Sequence, residues 1–268
     1  MDMRLQLAKA PDVEEHVVLV QQGLRMHGML RLPPEERQPA PTVLVAHGFT
    51  GSRNADARML VWVSRALAHN GMASLCIDFR GSGESEGDFG DMTPETEIAD
   101  ARAWLSWLEN DPRVDASRLG MLGHSLGGLV TACTSGDDAR LKSIALWCAV
   151  ANGKFIAERL YSAEAEGKCG LAGCDAGGLL VGRRFFECGM SLDVQARFAR
   201  RSAPVFIVHG TADSVVPLSH AEEYRATAAS HGREYAYLPI EQAGHCYNSM
   251  PQRETLIGET VAWFRKTL

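Results

Sequence analysis

The chain has 268 residues, of which 46% are hydrophobic and 22% are charged. That composition is typical of an ordinary globular protein and excludes a disordered or collagen-like chain. With 27 Lys and Arg against 33 Asp and Glu, the net charge of −6 argues against nucleic acid or an anionic membrane as a partner held by bulk charge.

In chain order, the apolar pattern predicts a hairpin and then alternating strands and helices. Apolar runs at 16–21 and 25–32 flank a turn at Gly23–Leu24 and predict the hairpin. Further strands, most of them short apolar runs typical of strands buried on both faces, are predicted at 42–46, 72–77, 119–122, 143–150, 205–208 and 234–239. Apolar residues at helical spacing predict helices at 56–69, 93–110, 125–135, 217–230 and 252–267.

This alternation predicts an α/β fold with a mostly parallel central sheet, helices on both faces and the hairpin at an antiparallel edge. Residues 151–203 break the pattern, because they are rich in glycine and weakly periodic. More than fifty residues are too many for a connection between two core strands. We therefore expect a core formed by 1–150 and 204–268, with 151–203 inserted as a small cap over one end of the sheet.

The strongest chemical signal is the G-x-S-x-G motif formed by Gly123, His124, Ser125, Leu126 and Gly127. It follows a predicted strand and opens a predicted helix, which is the context that gives this motif its mechanics. The turn is so tight that the residues flanking the serine must be small, and it lifts the hydroxyl clear of the sheet. We interpret Ser125 as a nucleophile, the alternative being an incidental serine in a glycine-rich turn.

A serine nucleophile needs a base and a residue that orients the base, and in this kind of sheet they follow in the order acid, then histidine. Asp213 follows the strand at 205–208, and His245 follows the strand that ends near Pro239. Both are therefore expected at the carboxyl edge of the sheet, beside Ser125. The alternatives are a solvated turn aspartate and a surface-loop histidine.

Two backbone amides are predicted to hold the oxyanion that forms during acyl transfer. One is the N–H of Leu126, directly after the nucleophile. The other is the N–H of Phe49, left free by a sharp turn at Gly48 after the first buried strand. His47 and His124 flank these positions and are interpreted as packing and hydrogen-bonding supports. His209 and Cys246 are interpreted in the same way.

No cofactor and no metal are expected. The glycine-containing loop at 79–92 lacks the Lys-Ser/Thr of a P-loop and the Rossmann spacing, so we interpret it as a wall of the active-site cleft. The nine histidines are scattered without an H-E-x-x-H pair. Cys169 and Cys174 could bridge or bind a metal, but they lack a second pair of zinc ligands, and whether they pair stays open.

The remaining sequence features concern the cellular location of the protein. The longest apolar runs fall far short of the roughly 20 residues of a spanning helix, and residues 1–15 lack the apolar stretch of a signal peptide. The mature chain is expected to start near Met1, without stable membrane association. An odd number of cysteines, most of them used as small reduced hydrophobes, indicates a cytoplasmic protein; those in or beside apolar patterns are Cys76, Cys133, Cys148 and Cys246.

With these residues in hand, the chain resembles the α/β-hydrolases over nearly its whole length, and more narrowly the bacterial cinnamoyl (feruloyl) esterase-like carboxylesterases. The similar stretches are HGFTGS at 47–52, DFRGSGESEGDFGDMT at 78–93, GHSLGG at 123–128, HGTADSVVP at 209–217, GHCY at 244–247 and the end of the insertion at 178–205. The resemblance implies a Ser125–Asp213–His245 triad, with Phe49 and Leu126 as oxyanion donors.

The sequence thus predicts a serine carboxylesterase that hydrolyses hydroxycinnamoyl (feruloyl) or short-chain acyl esters through an acyl-enzyme on Ser125. Its expected partner is a small-molecule ester, and a homodimer is allowed. The alternatives are a monoacylglycerol or lysophospholipid lipase, an acyl-peptide hydrolase, and a non-catalytic ligand-binding protein on the same fold.

Overall fold

The computed structural model describes residues 9, 11, 13–162 and 167–268. The strands are β1 (Val13–Gln21), β2 (Leu24–Leu32), β3 (Ala40–Ala46), β4 (Ala73–Ile77), β5 (Val114–His124), β6 (Leu141–Trp147), β7 (Gly173–Asp175), β8 (Leu180–Gly182), β9 (Val205–Gly210) and β10 (Tyr235–Ile240). The α-helices are α1 (Met59–His69), α2 (Pro94–Glu109), α3 (Leu126–Asp137), α4 (Gly153–Tyr161), α5 (Arg183–Ser191), α6 (Val194–Phe198), α7 (Ser219–Ser230) and α8 (Met250–Thr267).

Eight of these strands form one sheet in the order β1-β2-β4-β3-β5-β6-β9-β10. The last six strands in this order run parallel to one another, and the hairpin β1–β2 joins β4 antiparallel at one edge of the sheet. The predicted fold class, a mostly parallel sheet with helices on both faces, is therefore confirmed. Because all the parallel strands point the same way, the loops that follow them meet at one edge.

Alternate residues of the buried strands supply two cores, one on each face of the sheet. Val43 and Val45 of β3 pack with α1 and α8 on one face. Leu44 and Ala46 of the same strand pack with α2, α3 and α7 on the other. Strands buried on both faces explain why β3 and its neighbours appear in the sequence as continuous apolar runs.

Several strand boundaries differ from the sequence prediction, and two of them are informative. β5 starts at Val114, five residues before the predicted strand, because its first half carries polar residues that periodicity does not recognise. β6 ends at Trp147 instead of continuing to 150. Cys148 has a positive φ of 43°, so the backbone leaves the sheet there, and the Val150 N–H donates to the carbonyl oxygen of Ser125.

Residues 151–203 lie between β6 and β9 and contain α4, the β7–β8 hairpin, α5 and α6; residues 163–166 of this segment lie outside the described ranges. The hairpin packs against the loop between β4 and α2, where a β-carbon on Gly182 would collide with the carbonyl oxygen of Gly90. At the other end, a β-carbon on Gly136 of α3 would collide with the backbone of Arg197 in α6. Close backbone contacts therefore join this segment to the sheet domain.

The cysteine question left open by the sequence has an answer in the structure, where Cys169 and Cys174 form a disulfide. The other cysteines are free; Cys76, Cys133 and Cys148 are buried, and Cys188 and Cys246 are half-buried. In the described ranges, no helix combines the length and the apolar character needed to cross a membrane.

Candidate active site

Ser125 is the single residue between β5 and α3, and its backbone is strained, with φ 58° and ψ −118°. The glycines around it are required by backbone contacts. A β-carbon on Gly127 would lie 2.6 Å from the carbonyl oxygen of Ala46 and closer still to that of His47, and one on Gly123 would collide with Gly127. The structure therefore has the tight strand-to-helix turn that the motif predicts.

Asp213 follows β9 and His245 follows β10, and their side chains form a hydrogen bond. The Nδ1 atom of His245 donates to Oδ2 of Asp213 at 2.7 Å. The other carboxylate oxygen, Oδ1, accepts the backbone N–H groups of Val215 and Val216 at 2.8 and 2.9 Å. On the Oδ2 side, Nε2 of His209 lies 3.5 Å away. Every oxygen of this fully buried side chain therefore has a donor close to it.

These contacts determine the charge of Asp213. Burial on its own would raise the pKa of this carboxyl group, but the hydrogen bond from His245 and the nearby ring nitrogen of His209 outweigh burial and hold its pKa far below the ordinary value. Asp213 is therefore an anion at neutral pH. An anion at Oδ2 requires a proton on Nδ1 of His245, which leaves Nε2 of that ring free to act as a base.

Ser125 and His245 line one cavity of about 490 Å³ at the carboxyl edge of the sheet. The other lining residues are Gly48, Phe49, Thr50, Gly51, Ser52, Ala55, Asp56, Gly83 and His124. Although both side chains face this cavity, no hydrogen bond joins the Ser125 hydroxyl to His245 among the described residues. Such contacts between a nucleophile and its base often close only when substrate binds.

The loop after β3 passes directly over the serine, where a β-carbon on Gly48 would lie 3.0 Å from the Ser125 β-carbon. The next residue in the loop is Phe49. Neither its amide nor the amide of Leu126, the first residue of α3, donates a hydrogen bond to another described residue. Both amides predicted as oxyanion donors are therefore available beside Ser125, and the helix dipole of α3 adds positive potential at Leu126.

His47 and His124 hold the backbone of the surrounding loops. His47 is 1% exposed; its Nδ1 donates to the carbonyl oxygen of Gly48 at 2.8 Å, and its Nε2 accepts the Phe79 N–H at 3.2 Å. His124 is 5% exposed and its Nε2 lies 3.0 Å from the carbonyl oxygen of His245. Burial lowers the pKa of His47 and lowers that of His124 to about 4. Both are therefore neutral at pH 7.

The sequence did not indicate what surrounds the Asp213–His245 pair. The Cys148 thiol donates to the Tyr247 hydroxyl at 3.1 Å, and the sulfur, one oxygen of Asp213 and one ring nitrogen of His245 lie within 4.8 Å of one another. Burial raises the pKa of Cys148 well above its ordinary value, so it is a neutral thiol. Cys246, interpreted as a packing and hydrogen-bonding support, is half-buried and donates its thiol to Asp56 at 2.8 Å.

An aromatic cluster next to the cavity was also missed. The ring of Phe49 lies 5.6 Å from that of Phe89 and 5.4 Å from that of Phe185, which in turn lies 5.8 Å from Phe186. The rings come from the loop after β3, from the loop between β4 and α2, and from α5 in the 151–203 segment. No local pattern in the sequence connects these places, since only the tertiary fold brings them together.

Comparison with known proteins places the chain in a family. The model of the prolyl oligopeptidase family matches residues 58–268, which include Ser125, Asp213 and His245. The chain belongs to this family. Among curated proteins, this prolyl oligopeptidase family member is 33% identical over 123 residues to an uncharacterised 31.7 kDa protein of Escherichia coli. That match covers 46% of the chain and 42% of the relative, so it spans less than half of either protein.

Solved structures agree on the fold of this prolyl oligopeptidase family member. Est1E from Butyrivibrio proteoclasticus, with ferulic acid bound, superposes with a TM-score of 0.80 at 22% identity, covering 94% of the chain and 98% of Est1E. A puromycin-hydrolysing peptidase of Mycobacterium tuberculosis gives a TM-score of 0.75 at 22% identity, covering 95% of the chain and 39% of that protein. The resemblance to the α/β-hydrolases is therefore confirmed as a fold.

Proposed function

We propose that this protein is a serine hydrolase that cleaves carboxylic esters through an acyl-enzyme on Ser125. The observation that carries the proposal is the 2.7 Å hydrogen bond from His245 to the ionised Asp213, at a cavity that also holds Ser125. The unpartnered amides of Phe49 and Leu126 support it, because acyl transfer needs donors for a developing oxyanion. A protein that only bound a ligand would need neither the strained serine nor the oriented base.

In the first half-reaction, Nε2 of His245 takes the proton of the Ser125 hydroxyl as its oxygen attacks the ester carbonyl carbon. The carbonyl oxygen becomes an oxyanion, which the Phe49 and Leu126 amides hold. The C–O bond to the alcohol then breaks, and His245 returns its proton to the departing alkoxide. Asp213 stabilises the imidazolium between these two transfers and keeps the ring in its orientation.

The second half-reaction releases the acid. His245 takes a proton from a water molecule, whose oxygen attacks the acyl carbon, and the same two amides hold the second oxyanion. When the bond to Ser125 breaks, His245 gives the proton to the serine oxygen. The neutral Cys148 and His124 beside the pair add no charge that would compete with Asp213 for the imidazolium.

We propose hydroxycinnamoyl or short-chain acyl esters as the substrates and residues 151–203 as a cap over the site. The cluster of Phe49, Phe89 and Phe185 supports the aromatic choice, because aromatic rings gain from edge-to-face contacts with one another. The ferulic acid in the similar Est1E structure points the same way. Phe185 lies in the proposed cap, which would therefore form part of the acyl-binding wall.

The family match favours a second candidate, hydrolysis of acylated peptides, since the matching model is named for an oligopeptidase. The same acyl-enzyme chemistry serves an amide, but the leaving amine must be protonated and the cavity must accept a peptide. An N-acetyl-aminoacyl p-nitroanilide assayed beside an ester of the same acid separates the two candidates. Amide turnover equal to or above ester turnover would favour the peptidase.

The decisive experiment compares p-nitrophenyl acetate, butyrate and laurate with methyl ferulate. Ser125→Ala is expected to lose about 10³-fold or more of kcat/KM on every ester that the wild type cleaves. Ser52→Ala is the matched control, because Ser52 lines the same cavity without a role in the chemistry. Retention of most activity in Ser125→Ala, or an equal loss in both variants, would refute the nucleophile. Preference for laurate would favour the lipase alternative.

A second measurement does not depend on the choice of substrate. A fluorophosphonate probe should label the wild type and Ser52→Ala once per chain, and mass spectrometry should place the label on Ser125. Ser125→Ala should remain unlabelled. An unlabelled wild-type protein, correctly folded by its thermal transition, would argue for the non-catalytic alternative.

A further inference from the structure

A second cluster of potential ligands lies on the outer face of the β1–β2 hairpin. In the strand register His16 is paired with Met29, and Val18 is paired with His27, so the two histidines lie diagonally across the hairpin on one face. Their ring nitrogens, Nε2 of His16 and Nδ1 of His27, are 2.9 Å apart. His16 is exposed and His27 is half-buried, so solvent reaches both rings.

The loop between β4 and α2 brings a carboxylate to this pair. The backbone N–H of His27 donates to the Ser85 hydroxyl at 2.9 Å, and the Glu86 N–H donates to the carbonyl oxygen of Arg25 at 2.8 Å. These bonds tie the loop to β2 at positions 85 and 86, directly after Glu84. As a result, a carboxylate oxygen of Glu84 and one ring nitrogen of each histidine all lie within 4.8 Å of one another.

We propose that His16, His27 and Glu84 form a binding site for a divalent transition-metal ion such as Zn²⁺ or Ni²⁺. Two imidazoles and one carboxylate are donors that these ions favour, whereas Mg²⁺ and Ca²⁺ require mostly oxygen ligands. With metal–nitrogen bonds of about 2.1 Å, the two nitrogens lie about 3.0 Å apart when the N–metal–N angle is a right angle and about 3.4 Å apart when it is tetrahedral. The observed 2.9 Å needs little movement of two solvent-accessible rings.

Arg53 opposes a cation here, because it forms an ion pair with Glu84 through Oε2. That pair leaves Oε1 of Glu84 without a hydrogen-bond donor among the described residues. Arg53 also has a second partner in the buried Asp78, to which it donates both its backbone N–H and its guanidinium. Its charge therefore stays paired if Glu84 turns toward a metal ion.

This site was not predicted from the sequence. The histidines are eleven residues apart on different strands, and the glutamate follows more than fifty residues later, so no ligand-spacing motif appears. The proposal is independent of the esterase proposal, because none of the three ligands lines the cavity of Ser125.

The test is calorimetric titration of untagged, chelator-treated protein with ZnCl₂ and NiCl₂, with MgCl₂ as the oxygen-preferring control. We expect one Zn²⁺ per chain, no binding of Mg²⁺, and dissociation constants raised at least about tenfold in His16→Ala and Glu84→Gln. His231→Ala is the matched control, since His231 is an exposed histidine outside the cluster, and it should bind as the wild type does. Zn²⁺ should also raise Tm in the wild type but not in His16→Ala.

Three results would overturn the proposal. They are a heat of Zn²⁺ binding no larger than that of Mg²⁺, an unchanged Zn²⁺ affinity in His16→Ala, and an equal loss of Zn²⁺ affinity in His231→Ala. A Cys148→Ala variant covers the other cluster of potential ligands, formed with Asp213 and His245. Loss of Zn²⁺ binding in Cys148→Ala with binding retained in His16→Ala would assign the ion to that cluster instead. Equal Tm values without metal show that the variants are folded.

Discussion

Gly127→Ala tests whether backbone contact, not helix propensity, dictates the glycine two residues after Ser125, the proposed nucleophile. In the first turn of a helix, alanine should be favoured over glycine by about 0.8–1.0 kcal/mol. Here, however, the new β-carbon would lie 2.6 Å from the carbonyl oxygen of Ala46, where ordinary contact begins at 3.4 Å. Backbone must therefore move by at least 3.4 − 2.6 = 0.8 Å. Overpacking of this kind costs about 1–3 kcal/mol.

The displaced backbone belongs to the end of β3 and the loop that carries the Phe49 amide, so the variant should also lose activity. A misplacement of about 1 Å costs on the order of 10²-fold in rate. We expect kcat/KM on p-nitrophenyl acetate to fall by about that factor and Tm to fall by several degrees. Gly170→Ala is the matched control, because Gly170 has open space around it and no positive φ. A Gly127→Ala protein more stable than the wild type and equally active would refute the reasoning.

Three further predictions concern charge and the aromatic wall. Asp213→Asn should reduce kcat by about 10⁴-fold. Because folding lowers the pKa of Asp213, its ionised form stabilises the protein above pH 3.8. The difference in Tm between the wild type and the variant should therefore shrink as the pH falls below that value. Burial raises the pKa of Glu97 well above 4.5, with the charge of Asp100 adding to the effect, so the contribution of Glu97 to wild-type stability should decline as the pH rises above 4.5. Glu97→Gln should abolish that decline in thermal unfolding, and parallel curves for the two proteins would contradict it. Phe185→Leu should lower the ratio of kcat/KM for methyl ferulate to kcat/KM for p-nitrophenyl acetate by about two- to tenfold. This factor corresponds to an aromatic contact of about 0.5–1.5 kcal/mol. An unchanged ratio would show that the Phe185 ring does not contact the acyl group.

The fold and the proposed site could be predicted from the sequence where local rules dictate structure. A parallel strand buried on both faces is almost wholly apolar, as in β3, and a tight strand-to-helix turn needs Gly123 and Gly127 regardless of the rest of the chain. Because parallel strands all end at one edge, residues that follow different strands are predicted to meet. Asp213 and His245, which follow β9 and β10, do meet.

Long-range packing explains what the sequence could not predict. Cys148 was assigned to a strand because it belongs to an apolar run, but the chain leaves the sheet there and turns its thiol toward Asp213. His209 was interpreted as a packing and hydrogen-bonding support, and only the fold shows that it lies beside the same carboxylate. The end of a strand and the direction of its last side chain depend on the neighbouring strand, which no single segment specifies.

The loop between β4 and α2 shows why long-range packing, which the sequence does not predict, matters for function. Its Phe89 ring packs on Phe49, whose amide is a proposed oxyanion donor, and its Glu84 faces the two histidines of the proposed metal site. The loop is held between these points by Asp78, whose buried carboxylate lies so close to Gly83 that any β-carbon there would collide with it. One loop thus contacts both proposed sites. A metal ion bound at Glu84 would restrain the segment that forms one wall of the cavity. Comparing kcat with and without Zn²⁺, in the wild type and in His16→Ala, directly measures the coupling between metal binding and ester hydrolysis.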